Sequence, residues 1–169
     1  MKNTKRIVLL AIMVSQALIL SIIESWIPNP VPIPGVKLGL ANIITVIAIA
    51  FFGFREALLV VFMRCAISSI YTGGVIVFLF SISGGVLSTA VMSFLHKKLS
   101  QLFSITGVSV AGAIFHNIGQ LLMAGFIMKE MLILTYLPIL LVSGIVVGCF
   151  VGLCSSFLAR ALGRTNIFA

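Results

Sequence analysis

The sequence predicts an all-α integral membrane protein: a compact bundle of about six transmembrane helices, forming one transmembrane domain over residues 1–169. Composition carries the first argument, with 61% hydrophobic residues against 8% charged. Mean hydropathy of +1.30 carries the second. A soluble domain holds roughly 25% charged residues, so lipid must be the solvent for most of this surface, and an ordinary cytosolic enzyme is excluded. The third argument is pattern. The apolar residues form long unbroken runs rather than the short alternating segments of a membrane β-barrel. At about 20 residues per span, the chain has room for five or six helices.

Span one is expected over residues 7–27, a retained helix rather than a signal peptide, because no small-residue cleavage site follows. Trp26 marks its outer interface. Four prolines between Pro28 and Pro34 remove backbone donors and force extended backbone, which makes this a stiff outer loop. Span two is expected over 38–52, ending at the turn Gly53-Phe54-Arg55-Glu56, and span three over 57–70. Both are near or below the length that crosses hydrocarbon unaided, so a five-span or re-entrant arrangement stays open. Tyr71-Thr72-Gly73-Gly74 forms the next outer turn. Span four covers 75–95 and stops at His96-Lys97-Lys98, and a weakly amphipathic connector over 99–106 leads to span five, 107–128. Pro138 suits the first turn of span six, which leaves 131–137 as an apolar outer loop or interfacial turn and ends the span near Arg160.

The formal charge of +8 reads as topology. Lys2, Lys5, Arg6, Arg55, Lys97, Lys98, Arg160 and Arg164 fall on one side, against Lys37 and Lys129 on the other. Basic residues gather in cytoplasmic loops, so both termini are read as cytoplasmic and the chain as a multi-pass protein of the cell membrane. No basic stretch interleaved with aromatics suggests nucleic acid. Cys65, Cys149 and Cys154 sit in apolar segments without a metal or redox spacing, and no cofactor is expected.

Close helix packing in lipid relies on small residues spaced four apart. Span six has Gly144, Gly148, Gly152 and Ser156; span four has Ser81, Gly85, Thr89 and Ser93; span one has Ala17, Ser21 and Ser25. These stripes serve either packing inside the bundle or docking of a second membrane protein.

Polar residues inside the spans are the functional candidates. An arginine at mid-helix costs about 2.5–3.5 kcal/mol on insertion scales and usually faces a cavity, partner or pathway. Arg64 either does that or snorkels to an interface. Glu24 is its natural ion-pair partner. His116 and Gln120 share a helix face, with Asn117 beside them. Each is costly in hydrocarbon unless satisfied, by a ligand or by a polar network between helices. Asn42 and Thr45 are weaker candidates of the same sort. No aspartate occurs in the chain, so no clustered carboxylates can hold magnesium on a diphosphate, and no P-loop, dinucleotide fingerprint or nucleophile–base motif is present.

The run Pro34-Gly35-Val36-Lys37-Leu38-Gly39-Leu40-Ala41-Asn42-Ile43, with Gly73-Gly74 and His116-Asn117 further on, resembles the bacterial membrane family called Gx transporter or heptaprenyl diphosphate synthase component I. That family is similar to the substrate-binding S components of energy-coupling-factor vitamin transporters. The resemblance implies a six-helix protein with cytoplasmic termini that encloses a small nutrient, and a transmembrane coupling protein with ATPase subunits as the engine. The Ala-x-x-x-Ala docking pattern of S components is met only by Ala11-x-x-x-Ser15 and Ala17-x-x-x-Ser21. The synthase label implies instead a non-catalytic accessory partner of a prenyl synthase, or of a redox subunit in flavin-based electron transfer. The expectation is a binding and transport component for a small polar or anionic organic nutrient, with Lys37 at the gate and Asn42, Arg64, His116, Asn117 and Gln120 around the solute.

Overall fold

A computed structural model describes residues 3–27, 39–72 and 74–165. All regular structure there is helical: α1 (Asn3–Ser25), α2 (Asn42–Phe51), α3 (Phe54–Thr72), α4 (Gly74–Lys98), α5 (Ile105–Met128), a 3-10 segment (Met131–Tyr136) and α6 (Leu137–Gly163). The six-helix expectation holds as architecture. Four of the helices are long and apolar enough to cross a membrane, at Thr4–Ser25, Gly74–Lys98, Ile105–Met128 and Leu132–Gly163.

The two doubtful spans resolve differently. Helix α3 has 19 residues, beginning earlier than expected because Gly53, at φ +98°, completes the turn by itself. Its amide and that of Phe52 both donate to Ala48 O, at 3.1 and 2.9 Å, which closes the last turn of α2. Helix α2, by contrast, has 10 residues, or roughly 15 Å at 1.5 Å per residue. That is half of a hydrocarbon core about 30 Å thick. Its start is buried, with Ala41 at 0% and Asn42 at 3% exposure, so the helix begins inside the bundle rather than at its edge.

Other boundaries follow local chemistry. Ser104 caps α5, its Oγ accepting from Gly107 N at 3.2 Å, and Lys129 ends that helix in the left-handed conformation at φ 53°. Pro138 lies in the first turn of α6 as expected, and the apolar segment before it is a 3-10 helix.

Two apolar clusters fill the bundle ends. One gathers Met13, Ala17, Ile44, Ile47, Ala57, Val60, Met92 and Val108. The other gathers Phe80, Leu121, Ala124, Ile133 and Leu140. Between them lies a polar waist of buried residues: Ser21, Glu24, Asn42, Arg64, Ser88, His116, Asn117 and Gln120.

The stripe on α6 is used internally. A Cβ on Gly144 would come within 2.8 Å of Asn117 Nδ2, on Gly148 within 2.8 Å of Val110 Cα, and on Gly152 within 2.6 Å of Thr106 Cα. These glycines let α6 lie against α5, while Ser156 bonds Leu153 O of its own helix. On α1, Ala17 and Ser21 are buried, whereas Ser25 is exposed and bonds Ile22 O.

Candidate functional site

The waist is assembled around the start of α2. Glu24 of α1, 4% exposed, accepts hydrogen bonds from the backbone amides of Gly39 and Leu40. The carboxylate thus holds the turn that leads into α2, while the first amides of the helix, those of Asn42, Ile43 and Ile44, donate back to the carbonyls of Gly39, Leu40 and Ala41 at 2.9, 3.1 and 3.2 Å. Gly39, at φ +95°, makes the turn into α2, and its Cα lies so close to its neighbours that a Cβ would sit 3.0 Å from Asn42 Nδ2 and 3.5 Å from His116 Cδ2. The turn thus lies between Asn42 of α2 and His116 of α5.

Helix α4 admits its neighbours through two consecutive glycines. A Cβ on Gly84 would collide with His116 O at 2.6 Å and Gln120 Cγ at 2.8 Å, so this position serves α5. Gly85, about 100° around the helix, faces α3. A Cβ there would lie 2.6 Å from Val61 Cγ1 and 3.7 Å from Arg64 Nη2. Arg64 and His116 therefore flank α4 at one depth.

Arg64 is 4% exposed and so does not reach an interface. Its Nη1 donates to Ser21 Oγ at 3.4 Å. Nε and Nη2, the two nitrogens of its side-on fork, are buried without a hydrogen-bond partner. The expected ion pair with Glu24 is not formed. The backbone amides of Gly39 and Leu40 hold the carboxylate, and the salt bridge of the described residues joins Arg6 to Glu56.

The remaining candidates divide. Asn42, 3% exposed, has neither carboxamide atom hydrogen-bonded. Asn117 donates from Nδ2 to Leu140 O of α6 at 2.7 Å, which fixes its orientation, while its Oδ1 accepts nothing. Gln120 Nε2 lies 3.1 Å from His116 Nε2, so these two form the shared-face pair that their spacing predicts. Thr45 is buried. Lys37 lies outside the described residues.

The sequence reading missed Ser88, fully buried with an unbonded Oγ. It also gave Ser21 only a packing or partner-docking role, although that hydroxyl accepts a hydrogen bond from Arg64. Ser88 lies one helical turn beyond Gly84, a relation visible once the Gly84-Gly85 pair marks the thin side of α4. Among the described residues no group of three or more His, Cys, Asp or Glu converges as a metal site would require. The groove outside the bundle between α4 and α5, about 570 Å³ beside Phe94, Phe103 and Phe115, has no charged residue in its lining. The unbonded polar atoms of Asn42, Arg64 and Asn117 lie inside the bundle instead.

No curated protein and no solved structure matches the chain. The sequence profile of the heptaprenyl diphosphate synthase component I family does, over residues 13–158, and with its apolar spanning helices the chain is a membrane protein belonging to that family.

Proposed function

We propose that this protein is the membrane-embedded binding component of a transport system for a small polar or anionic organic solute, and that Arg64 receives an oxyanion of that solute. The observation that carries the reading is the unspent Nε/Nη2 fork of a guanidinium only 4% exposed. A buried charge without a partner is costly, and this edge of arginine matches the two oxygens of a carboxylate or phosphate in parallel hydrogen bonds. Asn42 and Asn117 add an amide donor and two carbonyl acceptors without partners, and His116 and Gln120 complete the lining. Apolar walls with a few convergent polar groups are what small-molecule sites need. A half-length α2 with Asn42 buried at its start supports the reading, since broken helices line the sites of many carriers.

Lys37, in the Pro-rich segment that leads into α2, attracts the anion and gates access. The charge bias of the loops puts both termini in the cytoplasm and the protein in the cell membrane. The chain carries no nucleotide-binding fingerprint, so a separate coupling protein with ATPase subunits drives the transport step.

The family description favours a second reading, an accessory subunit that organises a prenyl synthase. In that reading the catalytic carboxylates belong to the partner, since the chain has no aspartate. One experiment separates the two. Protein purified in nanodiscs is stripped and analysed by mass spectrometry for retained small molecules, alongside Arg64→Met. A retained oxyanion lost in the variant supports transport. Identical empty spectra, with co-purified synthase whose activity falls without this chain, support the accessory role.

A further inference from the structure

Helix α1 packs on α2 and α3 among the described residues, and its spanning segment is 22% buried, the least of the four spans. Its buried side is Met13, Ala17, Ser21 and Glu24. On the opposite side, Ile12, Ile19, Ile23 and Trp26 are 48%, 57%, 43% and 78% exposed. Apolar side chains there suit lipid. Gln16 does not. It is exposed and roughly 14 Å along the axis from Ser25 at 1.5 Å per residue, too far for its carboxamide to reach an interface.

Ile12, Gln16, Ile19, Ile23 and Trp26 are spaced four, three, four and three apart, the seam of a left-handed helix pair. Ser15, on the neighbouring exposed line, already bonds Ala11 O at 3.0 Å. Gln16 is therefore the exposed polar side chain of mid-α1 whose hydrogen-bonding capacity stays open.

We infer that two copies of this protein associate through α1, with Gln16 paired to Gln16 of the second copy. The carboxamide is its own complement, one N–H donor and one carbonyl acceptor on each side. Two copies inserted in the same orientation are related by a two-fold axis along the membrane normal, so identical residues meet at identical depth. A second copy presents the matching group at the right height by symmetry. The seam has isoleucines on both sides of the glutamine, and a single polar residue in such a seam fixes register and oligomer state. This inference is independent of the transport reading.

The test uses the full chain in native membranes, carrying Cys149→Ser and Cys154→Ser, with single cysteines introduced on α1 and oxidised by copper phenanthroline. Ile12→Cys, Ile19→Cys and Ile23→Cys are expected to give disulfide-linked dimers. Ala11→Cys and Ile22→Cys, on the exposed flank about 90° away at 100° per residue, are not. In lipid vesicles, single-molecule counting of labelled protein is expected to show Gln16→Leu weakening association about three- to tenfold, with Gln16→Asn close to wild type. Exposed leucine at this position leaves the fold intact, so loss of signal is not misfolding. Uniform cross-linking around the helix, no dimer, or association unchanged by Gln16→Leu each overturns the proposal. Cross-linking of the Ile12→Cys, Ile19→Cys and Ile23→Cys variants solely to a different membrane protein overturns it as well.

Discussion

On α4, Met92 and Phe80 are both buried in apolar clusters at opposite ends of the bundle. Between them Gly84 lies against His116 and Gln120, Gly85 lies beside Arg64, and Ser88 is fully buried. The ends are closed: each side chain touches apolar neighbours, and each deletion leaves a hole. The waist is open in the sense of hydrogen bonding, since Arg64 Nε and Nη2, both polar atoms of Asn42, and Asn117 Oδ1 have nothing to bond. Stability should therefore reside in the ends and recognition in the waist. Substitutions that act differently in the two regions break or sharpen that division.

The largest loss is expected at the ends. Met92→Ala and Leu121→Ala remove side chains that are 0% exposed, and each is expected to cost about 2–5 kcal/mol. Equilibrium unfolding in mixed micelles measures this, with solute binding to the surviving folded fraction unchanged. Next comes the α5–α6 seam. Gly152→Ala drives a Cβ to within 2.6 Å of Thr106 Cα, and backbone cannot swing aside, so a loss of about 1–3 kcal/mol is expected. Gly163→Ala, with nothing within 4 Å, is its control and should be neutral or slightly favourable.

Arg64 is expected to behave in the opposite way. Arg64→Met keeps an apolar stem while removing the guanidinium, a buried donor set with little return from the protein. Unfolding should show stability unchanged or raised by about 1 kcal/mol, while solute binding is lost. Arg64→Lys separates charge from shape: a point charge without the planar fork should recover little affinity. A variant that loses several kcal/mol on Arg64→Met would show the guanidinium to be a structural strut, and the division between ends and waist would fail.

How much of this was readable in the sequence depends on which interactions decide each feature. The long spans were readable because apolar length is a property of the chain alone, and Arg64, His116, Asn117, Gln120 and Asn42 stood out because lipid makes any polar residue conspicuous. Their convergence on one layer was not readable. It rests on Gly84 and Gly85 facing different neighbours, which takes the packing of α3 and α5 to reveal. The Glu24–Arg64 pairing failed for a physical reason. Opposite charge suggested the guanidinium, but the nearer claim came from the amides of Gly39 and Leu40, groups that every sequence has and none advertises. The shortness of α2 was half legible: an apolar run of the right composition does not say where the positive φ of Gly39 will stop it. On α6, the glycine stripe identified a close-packed face and left its partner undetermined until α5 filled it.

The smallest effect is expected at the rim, where Arg6 pairs with Glu56 across α1 and α3 with side-chain exposures of 45% and 18%. This is the ion pair that the described residues do form, yet it should matter least. Water and salt screen an exposed pair, and holding two long side chains in one geometry offsets most of the attraction, leaving about 0.2–1 kcal/mol. A double-mutant cycle of Arg6→Ala and Glu56→Gln should return a coupling in that range, shrinking as salt is raised. Helix α1 packs on α2 and α3 among the described residues, and the Arg64–Ser21 bond and this pair tie it to α3. A coupling well above 1 kcal/mol that persists in high salt would mean that the rim positions α1, and with it the Ser21 hydroxyl that accepts from Arg64. The recognition layer would then reach beyond the waist to the end of the bundle.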